Sequence, residues 1–189
     1  MKRTQVIIGA LAATAMLVVA SAALAHGFER IRGTDGNDTL NGTSGPDLIV
    51  ALAGDDTVSA GDGRDRVHGG RGNDSLDGGD GSDRVFGGAG NDSLQGGNGN
   101  DNLRGRSGDD TVEGGDGDDV IWVGRGADVE NGGNGNDRMH ALANDDQVDR
   151  IDCGDGSKDV VWLNSAESDQ HSNCEIVKTV TVTGTGGDD

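Results

Sequence analysis

Residues 69–104 repeat one nine-residue pattern four times without a gap: GGRGNDSLD, GGDGSDRVF, GGAGNDSLQ and GGNGNDNLR. Glycine holds the first, second and fourth places, aspartate the sixth and a large aliphatic residue the eighth. The last three places alternate like a short strand, with the eighth side chain on one face and its neighbours on the other. The six places before them are rich in Gly, Asn and Asp, which adopt turn conformations at little steric cost. A strand and a tight turn recurring every nine residues make a solenoid.

The frame extends outward to thirteen units, Gly33 to Asp149, and its sixth place never changes. Asp38, Asp47, Asp56, Asp65, Asp74, Asp83, Asp92, Asp101, Asp110, Asp119, Asp128, Asp137 and Asp146 all fall on it. The eighth place gives an inward column from Leu40 to Val148 that is aliphatic throughout except at Glu130. There, either Val129 turns inward through a bulge or the roll is locally broken, and the bulge is favoured. One aliphatic side chain per nonad does not offset the entropy of ordering glycine-rich turns. Aspartates stacked about 4.8 Å apart would also repel by up to about 3.5 kcal/mol per pair at a dielectric near 20. A hard divalent cation reverses that sign. Calcium takes six to eight oxygens, accepts carboxylates and carbonyls, and tolerates irregular geometry. No Cys or His ladder competes for a softer metal.

On these nonads, with GGDGDDVIW at 114–122 as a further copy, residues 33–149 resemble the RTX (repeats-in-toxin, haemolysin-type) calcium-binding family. The resemblance implies an all-β fold, a right-handed parallel β-roll in which two nonads make one coil. It implies several Ca2+ ions, each between the turn of one nonad and the turn two nonads later, held by sixth-place aspartates and glycine-turn carbonyls. Asp74 would then pair with Asp92 along one edge and Asp83 with Asp101 along the other.

The whole chain has 189 residues, 36 of them glycine, no tyrosine and a net charge of −19. Such a composition would be classed as disordered, which is how a metal-dependent fold looks without its metal. The acidity argues against nucleic acid as a partner. Residues 1–25 read as a secretory signal: Lys2 and Arg3, the apolar run Val6 to Ala20, and the small-residue site Ala23-Leu24-Ala25. No other segment is apolar enough to span a membrane, so the expected location is extracellular, where calcium is abundant. Family members that leave by an uncleaved C-terminal signal differ from this chain in that respect.

Residues 26–32 are expected to begin the first coil as a cap, and 150–183 to form a C-terminal cap ahead of a flexible tail, 184–189. Within that cap CGDGSKDVVW resembles a nonad with one insertion, with Asp159 at the metal place and Val161 at the buried one. Cys153 and Cys174 flank it; in an exported protein they most simply form one disulfide, the alternative being two free thiols.

Alternate nonads fall on opposite sheets. One face carries small polar residues such as Thr39, Thr57, Ser75 and Ser93. The other carries Arg66, Arg84, Phe86, Arg104, Trp122 and Arg138, which either balance the charge of an acidic chain or dock an extracellular protein or glycan. No HExxH, GxSxG, P-loop or EF-hand pattern occurs, and the four histidines are scattered. The expectation is therefore a non-catalytic secreted calcium-binding module, structural or binding in role. The alternatives are a calcium-dependent adhesion or docking protein and the non-catalytic remnant of an RTX exoenzyme.

Overall fold

The computed structural model describes residues 16–19, 29–143 and 145–182, and every regular element among them is a strand. In chain order these are β1 Met16–Val19, β2 Glu29–Arg32, β3 Asp38–Thr43, β4 Asp47–Ala53, β5 Thr57–Gly63, β6 Arg66–Arg71, β7 Ser75–Gly81, β8 Arg84–Ala89 and β9 Ser93–Asn98. They continue as β10 Asn102–Ser107, β11 Thr111–Asp116, β12 Val120–Trp122, β13 Val129–Asn134, β14 Arg138–Ala141, β15 Arg150–Asp152, β16 Val160–Asn164, β17 Gln170–Ser172 and β18 Ile176–Val180. Odd strands form one parallel nine-stranded sheet and even strands the other, each in chain order along the axis. One coil therefore takes one strand from each sheet, and the register advances by eighteen residues, as in Leu76↔Leu94 and Val85↔Leu103.

The core lies between the sheets. Leu40, Ile49, Val58, Val67, Leu76, Val85, Leu94, Leu103, Val112 and Ile121 are buried in single file. The strands run longer than the alternating triplets suggest. In β7 the extended backbone continues from Ser75 to Gly81, into the first four places of the next nonad. The first place accordingly points inward beside the eighth, and only Gly, Ala or one Val stands there: Gly78, Ala51, Ala60 and Val123 are examples. From the third to the tenth unit the second and fourth places hold positive φ, as at Gly79 (φ 93°) and Gly81 (φ 146°), and so supply the corner.

Three expectations are corrected. At unit eleven there is neither a bulge nor a break. Glu130 pairs in register with Val112 and Ile151 and is 1 % exposed, while Val129 faces solvent. Registers on both sides are pinned, and a one-residue slip would turn every side chain of β13 to the wrong face. The thirteenth unit does not keep the frame. Asp146 lies in a loop with φ 62° and Val148 is exposed; Asp149 and Ile151, three residues later, take their places. Thirteen unbroken repeats are therefore not what the chain forms. Finally, the disulfide-stapled C-terminal cap is itself roll: β15 to β18 extend both sheets in parallel. Cys153 and Cys174 form the expected disulfide, with Cα atoms 5.1 Å apart.

The N-terminal cap contributes β2, whose Ile31 heads the core. Of the signal segment 1–25, residues 1–15 and 20–25 lie outside the described residues. Met16–Val19 pair with β3, so removal of the leader would leave β3 as the edge strand of its sheet. The tail 184–189 is likewise outside the described residues.

Candidate metal centre

The sixth-place aspartates sit where each strand begins, at the two edges between the sheets. Twelve of the thirteen, Asp38 through Asp137, are at most 3 % exposed. Each is locked to the next along its edge by one repeated contact. The backbone N–H of Asp74 donates to Asp92 Oδ1 at 2.9 Å, that of Asp83 to Asp101 Oδ1 at 2.8 Å, and that of Asp110 to Asp128 Oδ1 at 2.8 Å. The pairs expected from the resemblance are thus neighbours on their edges. Past Asp137 both ladders continue through residues outside the frame. Asp128 donates to Asp149, which donates to Asp169; Asp137 donates to Asp159, which donates to Glu175. Asp146 stands apart from either ladder, and its N–H goes to Glu167.

The second carboxylate oxygen is the feature that matters. Oδ2 of Asp56, Asp65, Asp74, Asp83, Asp92 and Asp101 is buried with no hydrogen-bond partner, and the same holds at Asp110, Asp119, Asp128, Asp137 and Asp159. A buried carboxylate oxygen without a partner is expensive. It points to where a cation belongs. At Asp74, Asp83, Asp101, Asp119 and Asp137 a backbone carbonyl lies close by: a Cβ placed on Gly78 would stand 2.6 Å from the Gly96 carbonyl oxygen and 2.8 Å from Asp83 Oδ2. First-place glycine thus keeps open a small space bounded by a carboxylate oxygen and a carbonyl oxygen of the next coil.

Burial leaves these carboxyls hard to ionise without a counter-charge. Asp110 and Asp119 are pushed up to about 8; burial is the main cause, the N–H donated by the preceding aspartate opposes it, and the neighbouring aspartates add to it. Asp65 and Asp92 rise to about 7 and Asp101 to about 6 for the same leading reason.

A second ladder, not anticipated from the sequence, runs through the fifth place in the opposite sense. The N–H of Asn73 donates to Asp55 Oδ1 of the preceding coil at 2.8 Å, and that of Asn91 to Asn73 Oδ1 at 2.8 Å. Its signal was available in the recurring Asn-Asp and Asp-Asp pairs. Turns on the edge from Asn37 to Ala127, and those at Asn100, Asp118 and Asn136 on the other, are therefore tied by both ladders.

Among the described residues no three side chains from His, Cys, Asp and Glu gather into one metal-binding group. The donor set is instead mixed, ladder carboxylates with turn carbonyls, all oxygen, which suits a hard cation. These features define a parallel β-solenoid with a carboxylate column along each edge. A family model for the RTX calcium-binding nonapeptide repeat matches four times, over residues 32–67, 59–94, 95–130 and 131–150. The chain belongs to that family, and its repeats bind several Ca2+ ions. A comparison with curated proteins found no match.

Proposed function

We propose that this chain is a secreted extracellular module that orders as calcium fills its edges and then serves a structural or binding role, without catalysis. The observation carrying this reading is the run of buried, partnerless Oδ2 atoms from Asp56 to Asp137, several of them close to a backbone carbonyl of the next coil. Without cations, the column sets like charges in a dry interface; with them, each ion ties one coil to the next. Binding free energy then becomes folding free energy.

Export is supported by the apolar leader with its small-residue ending and by the Cys153–Cys174 disulfide, which persists in oxidising compartments. Among the described residues no helix is long and apolar enough to cross a membrane. A non-catalytic role fits a described chain built of coils, with no hydrolase or nucleotide-binding motif in the sequence.

The test is far-UV circular dichroism of residues 26–189 during calcium titration, with magnesium as control. A cooperative coil-to-β transition with calcium alone is expected. A chain already β-rich in chelator would defeat the reading.

A further inference from the structure

The first two turns of the roll differ in backbone from the run that follows. They read GTDGND at 33–38 and GTSGPD at 42–47, with threonine at the second place. Neither Thr34 nor Thr43 takes positive φ, and neither does the fourth-place glycine after it, Gly36 or Gly45. A β-branched side chain makes positive φ costly. From the third unit to the tenth both places have it, Leu52 (φ 93°) and Arg106 (φ 90°) included. The hand of the backbone, not the bulk of the side chain, separates the two kinds of turn.

The difference falls on the aspartate. Without positive φ, the second-place amide turns back onto the carboxylate of its own turn. Thr34 N–H donates to Asp38 Oδ2 at 2.6 Å and the Thr34 hydroxyl donates to the same oxygen at 3.0 Å, while Oγ1 accepts from the N–H of Gly36 at 3.2 Å. Thr43 repeats this on Asp47 Oδ2 at 2.7 and 3.1 Å, with the N–H of Gly45 donating to its Oγ1 at 3.2 Å. A carboxylate oxygen offers about two lone-pair positions, and here a backbone donor and a side-chain donor take both. Where the second place has positive φ, from Asp56 to Asp119 and again at Asp137 (Gly133, φ 100°) and Asp159 (Gly154, φ 86°), Oδ2 is buried without a partner. Asp128 is intermediate. Gly124 lacks positive φ and turns its N–H toward that carboxylate, but it brings no hydroxyl and Oδ2 stays partnerless.

The space beside the carboxylate is present in the first two turns as well. A Cβ on Gly33 would stand 2.5 Å from the Ala51 carbonyl oxygen and 2.6 Å from Asp38 Oδ2; one on Gly42 would meet the Ala60 carbonyl and stand 2.8 Å from Asp47 Oδ2. These are the same kinds of neighbour found around Gly78. Only the state of the carboxylate oxygen differs. Asp47 Oδ1 is partnerless for another reason: the ladder ends there, and the Glu29 N–H beside it goes to the Pro46 carbonyl.

We propose that threonine at the second place closes a turn to metal. Thr34 and Thr43 satisfy with their own donors the oxygen that takes calcium in later coils, so the array begins at Asp56 and the coil from Gly33 to Val50 is an end cap that takes no metal. Terminal coils of a solenoid must differ from interior ones, and a coil that satisfies its own turns ends the roll without placing an ion on its outermost edge. At the opposite end the ladders run out with Oδ2 of Asp159 and Asp169 still partnerless. The inference rests on partnerless Oδ2 marking the calcium position.

The experiment counts calcium bound to the folded full chain by equilibrium dialysis and metal analysis, with circular dichroism checking the β signal. Glycine reaches positive φ freely, so T34G/T43G should raise the count by about two per chain, one for each turn opened. Adding D38N/D47N to that variant should cancel the gain. In the natural chain D38N/D47N should leave the count unchanged, because the amide oxygen still accepts both threonine donors. D74N/D83N, by contrast, should lower it by about two. A folded T34G/T43G chain with the natural count overturns the proposal, and so does a lowered count in D38N/D47N. If T34G/T43G does not fold in calcium, D38N/D47N decides alone. An unchanged count in D74N/D83N would instead overturn the reading of Oδ2 as the calcium position.

Discussion

The backbone N–H of Asp74 donates to the buried carboxylate of Asp92, eighteen residues on, at 2.9 Å, while the other Asp92 oxygen has no partner. One side chain thus does two jobs: Oδ1 fastens coil to coil, and Oδ2 waits on a cation.

Substitutions at Asp92 separate those jobs. Asp92→Asn keeps an oxygen for the Asp74 N–H but loses charge, so the calcium midpoint rises. Asp92→Ala also orphans a buried N–H and costs about 1–3 kcal/mol more. Circular dichroism across a calcium titration, with the two variants side by side, checks the order.

The pH dependence should reverse with calcium. Asp56, Asp65, Asp110 and Asp119 of the ladders have folded values near 6 to 8, above the 3.8 of the unfolded chain, with burial the leading cause. Their contribution in the metal-free roll is fully present below about pH 3.8 and lost as pH rises through 6 to 8. In chelator, then, acid promotes β-structure; with calcium, acid displaces the ion and removes it. Paired pH titrations with and without chelator show crossing curves, and parallel ones would count against the ladder.

Glu130 is a buried flaw. It stacks between Val112 and Ile151 with neither carboxylate oxygen partnered, and burial, with Asp149, Asp128 and Asp169 nearby, holds its carboxyl well above the usual range. Glu130→Met restores an apolar column and should stabilise the roll by about 1–3 kcal/mol in urea unfolding at saturating calcium. Because the wild-type carboxyl costs stability as pH rises above 4.5, the gain should grow toward alkaline pH.

Arg106 occupies a corner where its neighbour Gly88 is glycine, and takes φ 90° to do so. Strain there is worth about 1–3 kcal/mol, and the guanidinium's contact with Phe86, 5.9 Å from the centroid, returns part of it. Arg106→Gly should therefore gain about 1 kcal/mol, read as a thermal midpoint higher by about 2–4 °C.

The disulfide staples the part of the roll where the eighteen-residue frame loosens: the ladder steps Asp128 to Asp149 and Asp137 to Asp159 span 21 and 22 residues. The double variant C153S/C174S should lose about 3 kcal/mol in chain-entropy terms. Hydrogen exchange should show that loss first in β15 to β18, with β5 to β11 still protected.

The nonad alone determined the period, the aliphatic file from Leu40 to Ile121, the aspartate column and the split into a polar and a basic face. Each follows from local alternation and turn chemistry, repeated until no other packing is consistent. Tertiary structure decided the rest. Glu130 went inward because coils on both sides fixed its register, and no local bulge could relieve it without misplacing β13. Asp149 displaced Asp146 because a coil must end where the preceding coil's N–H waits, whatever the count of residues between. Trp162 came to stack on His140, itself stacked on Trp122, across an interrupted frame for the same reason: in a solenoid, position is set by the coil beneath, not by distance along the chain.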